Sequence, residues 1–285
     1  MLPRMLTARD ARRESGRRRS LPSQKQRYEE YVFQRIEAFK ESLPREQLLR
    51  LADEATEALL DGREDQFVLT EVLMADVVDT FIMKRLHIQK FPRWRAQFAK
   101  LRAAQRAPTH WGLDRTCPLV PLLGRVEPED RALVVGSGAE ACAYLLAAYD
   151  THLDFWDREV GVVQRVEQKL NAEDLATRNF LCCVPMEIWM PSHRAPYDIV
   201  VLDVGALAQL DARLHPEVIA RLQALTAEGG VHVLLPSRTL LPEAVYSFYG
   251  SWVQEQMPTP RRAPKSRGTV LVKPPAAEIR QAEGA

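Results

Sequence analysis

Apolar and polar positions follow two different periods along this chain, and the change falls near residue 131. Upstream, apolar residues recur every three to four positions, the spacing of one helix face. In QKQRYEEYVFQRIEAFKESL, Tyr28, Tyr31, Val32, Ile36 and Phe39 fall near one face. In the next segment, SLPREQLLRLADEATEALLDG, Ser42 is placed to cap a helix start, Pro44 suits its first turn and Gly62 its C′ position. TEVLMADVVDTFIMKRL is apolar nearly all round, which predicts burial between neighbours. FPRWRAQFAKLRAAQR predicts a fourth helix, with Trp94, Phe98 and Leu101 at helical spacing and Arg93, Arg95, Lys100, Arg102 and Arg106 supplying charge. Residues 25–106 therefore read as an all-helical N-terminal region.

Residues 107–130 hold Pro108, Pro118, Pro121 and Pro128 without a clear period and read as a linker. From residue 131, short apolar runs alternate with helical stretches: RALVVGSG, THLDFWD, NFLCCVPMEIW, YDIVVLDVG, GGVHVLLPS and GTVLVKP. That alternation predicts βαβ units and a mostly parallel sheet over residues 131–275, an α/β architecture. Residues 276–285 read as a tail.

Composition narrows the function classes. The chain has 285 residues, 46% hydrophobic, enough for a large core. Its net charge of +1 gives no global pull on nucleic acid or membrane. No apolar run reaches the ~18 residues of a membrane span, and no apolar block follows the basic start as in a secretory signal. Arg12, Arg13, Arg17, Arg18 and Arg19 crowd residues 1–24, which read as a disordered basic arm, a tether to an anionic partner or a solvated tail. Cys117, Cys142, Cys182 and Cys183 lack CxxC spacing and suit a reduced, cytoplasmic protein; Cys182 and Cys183 sit in a run that reads as a buried strand. The six histidines show no HxxxH or HxH pattern, so no metal site is expected. GxSxG and Walker motifs are absent.

The chemistry concentrates at VVGSGAEACAYLL, residues 134–146. A strand ending in Gly136-Ser137-Gly138 and entering a helix lets backbone approach a ligand and offers it N–H groups. The next strand ends near Asp157, nineteen residues after Gly138, where a carboxylate can accept from both ribose hydroxyls or instead cap the helix that begins at Arg158. GSGAEA also fits the GxGxxA form of dinucleotide dehydrogenases.

Taken in order, RALVVGSGAEACAYLL, HLDFWDRE, PYDIVVLD, LTAEGGVHVLLPS and GTVLVKP resemble the class I S-adenosylmethionine-dependent methyltransferases over residues 131–273. The resemblance implies a Rossmann-like methyltransferase sheet with an antiparallel last strand, S-adenosylmethionine as cofactor, and methyl transfer to an acceptor it does not identify. It implies that Gly136, Ser137 and Gly138 line the cofactor's methionine and ribose portion. Asp157, followed by Arg158, matches the ribose-binding acid, and Glu187 is the candidate for the adenine. Asp198 matches the acid that opens the fourth strand, and Gly229-Gly230 the turn before the fifth. Asp203, at the fourth strand's far end, faces the substrate side and is the candidate catalytic base. Val134 stands where the family has an acid. Glu140 replaces its third glycine, with a side chain expected to crowd the pocket.

SWVQEQ and TVLVKP suit a final hairpin around a basic insert, residues 258–268, with Arg261, Arg262, Lys265 and Arg267. His110 and Trp111 either border the pocket or pack as linker residues. NPPY-type and Pro-Cys motifs of DNA methyltransferases are absent. The basic arm, helix and insert tilt the acceptor towards RNA or another anionic macromolecule. The helical region would shape the substrate site, or mediate a homodimer or protein contact. The degenerate first motif leaves open a catalytically inactive, partner-binding protein of the same fold.

Overall fold

The computed structural model describes residues 22–60, 71–175, 178–192, 195–255 and 268–275; the side chains of 58–60 and 71–74 also lie outside the description. Most of the basic arm and the basic insert, the 276–285 tail and Gly62 fall outside the described residues. The chain divides into two compact units between Leu101 and Arg102.

The helical unit contains α1 (Gln24–Ser42), α2 (Arg45–Leu60), α3 (Glu71–Arg85) and most of α4 (Phe91–Gln105). A capping box starts α1: Gln26 N–H donates to Ser23 Oγ at 3.2 Å, and Ser23 N–H to Gln26 Oε1 at 2.7 Å. Ile36, Leu51 and Ile82 form a small core, with Val32 and Phe39 against it. Tyr28 lies 5.4 Å from both Phe91 and Trp94, ring centre to ring centre. Lys40 pairs with both Glu37 and Asp79, which ties α1 to α3.

Two expectations change here. Ser42 does not start α2; it is the last residue of α1, and its hydroxyl donates to Phe39 O at 2.7 Å. In α3, Ile82 is the one fully buried side chain among those described, so the helix is half wet rather than enclosed. So small a unit buries too little surface to wrap a helix on all sides.

The second unit is built on a seven-stranded sheet ordered β3-β2-β1-β4-β5-β7-β6. Its strands are β1 (Arg131–Val135), β2 (His152–Asp157), β3 (Asn179–Cys183), β4 (Tyr197–Asp203), β5 (Thr226–Leu235), β6 (Val253–Glu255) and β7 (Thr269–Val272). β1 to β5 run parallel, and β7 is antiparallel to both β5 and β6. This is the Rossmann-like sheet, mostly parallel with antiparallel last strands, that the sequence predicts. Helices α5 (Glu140–Ala148), α6 (Val160–Ala172), α7 (Gly205–Ala208) and α8 (His215–Ala224) complete the unit.

Both sheet faces are covered, so the strands are apolar on both sides. Phe155 and Trp156, adjacent on β2, are fully buried in opposite cores. Burying each contributes roughly 1.5–3 kcal/mol. β3 departs from expectation: it is an edge strand, Cys182 is half-buried and Cys183 exposed. With one neighbour instead of two, an apolar strand stays partly wet.

Residues 107–130 pack rather than merely connect. Two 3₁₀ turns, Pro108–Trp111 and Val120–Arg125, bring Leu119, Leu122 and Leu123 into the core. Arg102 and Arg106 belong to the same anchor. The Arg102 guanidinium is buried and donates to Asp174 O; Arg106 donates to Ala148 O and pairs with Asp150. Neither is a free surface charge.

Candidate functional site

β1 stops at Val135, and Gly136 turns the chain with φ +93° before a 3₁₀ turn, Ser137–Ala139, leads into α5. That φ favours glycine. Both glycines are also required by one neighbour. A Cβ on Gly136 would lie 2.9 Å from Asp203 Cβ, and one on Gly138 2.5 Å from Asp203 Oδ2. The Asp203 carboxylate reaches from the end of β4 into the turn. Gly138 N–H donates to Oδ2 and Gly205 N–H to Oδ1, each at 2.9 Å. Asp203 is 8% exposed. It therefore clasps the turn from a neighbouring strand, at a site where Val134 cannot, since Val134 is buried in the core.

Around this clasp the carboxyl ends of β1 to β4 open a cleft. Val135, Val184, Met186 and Leu210 give it apolar walls. Asp157, Arg158 and Glu187 give it polar ones. Asp157 Oδ1 accepts from Glu159 N–H at 2.8 Å, just before α6. Burial pushes its carboxyl above the usual value, aided by the charges of Glu159 and Glu140 and opposed by the Glu159 N–H. Asp157 thus bonds the N–H of Glu159, the residue before the helix, rather than a helix N–H, and also faces the cleft. The helix it precedes starts at Val160 rather than at Arg158. Arg158 pairs with Glu187 at 2.7 Å.

Two buried atoms of residues lining the cleft, Trp156 Nε1 and Glu187 Oε2, have no hydrogen-bond partner among the described residues. Trp156 is 0% exposed. Buried polar atoms without partners are rare, and each such group costs about 1–3 kcal/mol.

The structure thus brings Gly136, Ser137, Asp157, Arg158, Glu187 and Asp203 around one cleft, with Gly138 held just behind by Asp203. It separates others. The Glu140 side chain pairs with Arg165 on α6 and accepts from Tyr144 OH on its own helix, so it does not crowd the cleft. Burial, with Glu140 beside it, pushes the Tyr144 phenol up to about 12. His110 and Trp111 pack away from the cleft: Trp111 Nε1 donates to Gln105 O at 2.6 Å, and its ring lies 5.2 Å from that of Tyr144. Trp156 was not readable as a site residue, because an aromatic in an apolar strand signals only core. Among the described residues, no cluster of His, Cys, Asp and Glu could hold a metal ion, and no helix is long and apolar enough to cross a membrane.

No protein-family model and no curated protein sequence matches the chain. Solved structures do. The N-methyltransferase NodS from Bradyrhizobium japonicum WM9 is 12% identical, with a TM-score of 0.46 over 56% of this chain and 94% of its own. NodS in complex with S-adenosyl-l-homocysteine is 15% identical, with a TM-score of 0.45 over 56% and 86%. An rRNA methylase from Streptococcus thermophilus is 13% identical, with a TM-score of 0.41 over 59% and 96%. These are likenesses of fold.

Proposed function

We propose that the sheet unit binds S-adenosylmethionine in this cleft and transfers its methyl group to an acceptor. The observation that carries the reading is the pair of buried, unpartnered atoms, Trp156 Nε1 and Glu187 Oε2, in residues that line one cleft together with Asp157. One is a donor and the other an acceptor, and a nucleoside has groups complementary to both. Asp157 would hold the ribose hydroxyls. Glu187, fixed by Arg158, would accept from the base. Val135, Val184 and Met186 offer apolar surface to the same volume. The cofactor supplies an electrophilic methyl carbon, which an acceptor's lone pair takes as the sulfur–carbon bond breaks, leaving S-adenosylhomocysteine. The protein's part is mainly to position donor and acceptor.

Asp203 does not act as base in this reading. Both its oxygens are engaged by backbone N–H groups, so the favoured acceptor attacks without prior loss of a proton. The same observation favours a second reading, binding without turnover. Within the proposal, an anionic macromolecular acceptor such as RNA draws support from Arg93, Arg95 and Lys100, exposed on α4.

Calorimetric titration with S-adenosylmethionine, S-adenosylhomocysteine and NAD tests the binding step. Micromolar binding of the first two, lost in Asp157→Ala, supports the site; no binding of either overturns it. Label transfer from methyl-labelled S-adenosylmethionine to cellular RNA or protein then separates turnover from binding alone.

A further inference from the structure

The turn after β1 is where folds of this architecture offer free N–H groups to an anionic part of a ligand. Here that seat is filled by the chain itself. Gly138 N–H and Gly205 N–H both donate to the Asp203 carboxylate, and Asp203 comes so near that neither Gly136 nor Gly138 could carry a side chain without displacing it. A second observation points the same way. Among the described residues, the charged ones lining the cleft are three carboxylates, Asp157, Glu187 and Asp203, and one guanidinium, Arg158, which Glu187 already pairs. A ligand entering the cleft meets an excess of negative charge and a turn whose Gly138 donor is occupied.

We infer that Asp203 is a specificity-determining residue: it bars phosphorylated nucleotides from the cleft and leaves it to neutral or cationic nucleosides. A phosphate placed at the turn would find the Gly138 donor taken and would face a like charge at short range. A sulfonium or ammonium group at the same place meets a fixed counter-charge instead. The inference rests on the nucleoside reading above and adds to it the charge class the cleft accepts. It also sets the chain apart from dinucleotide enzymes that share the GxGxxA spelling, since those seat a pyrophosphate on this turn.

The experiment is a calorimetric comparison of adenosine, AMP, ADP and S-adenosylmethionine on the full chain, on Asp203→Asn and on Asp203→Ala, with each variant's folding checked by thermal denaturation. The wild-type chain should bind adenosine at least roughly tenfold more tightly than AMP or ADP, a gap that narrows with added salt. In Asp203→Asn the gap should close, and the preference for S-adenosylmethionine over adenosine should shrink. Equal binding of adenosine and AMP by the wild-type chain overturns the inference and leaves the nucleoside reading standing. A gap unchanged in both folded variants overturns the assignment to Asp203. Absence of binding by every nucleoside brings down both. The wild-type comparison and its salt dependence stand even where a variant does not fold.

Discussion

Adding one methyl group at Gly138 gives a sharp test of the clasp. In Gly138→Ala the new Cβ would sit 2.5 Å from Asp203 Oδ2 and 2.7 Å from its Cγ. The Asp203 side chain is short and held by two N–H groups at 2.9 Å, so it cannot step aside without breaking a bond. Overpacking of this kind costs about 1–3 kcal/mol, and a lost hydrogen bond to a charged acceptor about 1.5–3 kcal/mol. The expected destabilisation is roughly 3 kcal/mol. In an Asp203→Ala background the atoms that clash are gone, and the same substitution should cost within about 1 kcal/mol of zero. The coupling of roughly 2 kcal/mol far exceeds the additivity error of about 0.5 kcal/mol for independent sites. Urea denaturation of the four proteins of this cycle, followed by tryptophan fluorescence, measures it. Equal costs of Gly138→Ala in both backgrounds would refute the reasoning.

Other consequences follow from single residues. Leu119 is 0% exposed, so Leu119→Ala should destabilise the sheet unit by about 2–5 kcal/mol in denaturant titration, whereas a residue in a mere linker would cost little. His232 is fully buried between Thr226 Oγ1 and Tyr249 OH, and burial, with the charge of Lys273, lowers its pKa from 6.5 to about 3. The unfolded chain then binds the extra proton first as pH falls below about 6.5. Stability should drop over that window by up to about 1.4 kcal/mol per pH unit, and His232→Phe should remove this contribution from the pH profile of urea unfolding. The Asp157 carboxyl is raised by burial, so it protonates at a higher pH than an ordinary aspartate. Ligand binding through its carboxylate should therefore weaken early on acidification, and calorimetry of wild-type chain against Asp157→Asn across mildly acidic pH should show that dependence in the first protein alone.

The periodicities show the architecture plainly, because a parallel sheet covered on both faces must alternate apolar strands with amphipathic helices. The succession of strands along the chain and the glycine turn were both readable. Less readable were features built from contacts distant in sequence. The 107–130 segment shows no period because its 3₁₀ turns are too short to establish one, yet Leu119, Leu122 and Leu123 enter the core. Asp203 stands sixty-five positions beyond Gly138, and nothing local marks it as the clasp of the turn. Trp156 Nε1 stands out only because no acceptor meets it among the described residues. Glu140, conversely, looked obstructive on a one-dimensional motif, but helix geometry turns it towards Arg165.

The most direct measurement follows the indole N–H of Trp156 by heteronuclear NMR, its resonance identified by its absence in Trp156→Phe. On titration with S-adenosylhomocysteine it should shift progressively and saturate, and in Glu187→Gln the same titration should saturate only at higher ligand concentration. A resonance that stays in place while S-adenosylhomocysteine is in millimolar excess would contradict a nucleoside site in this cleft.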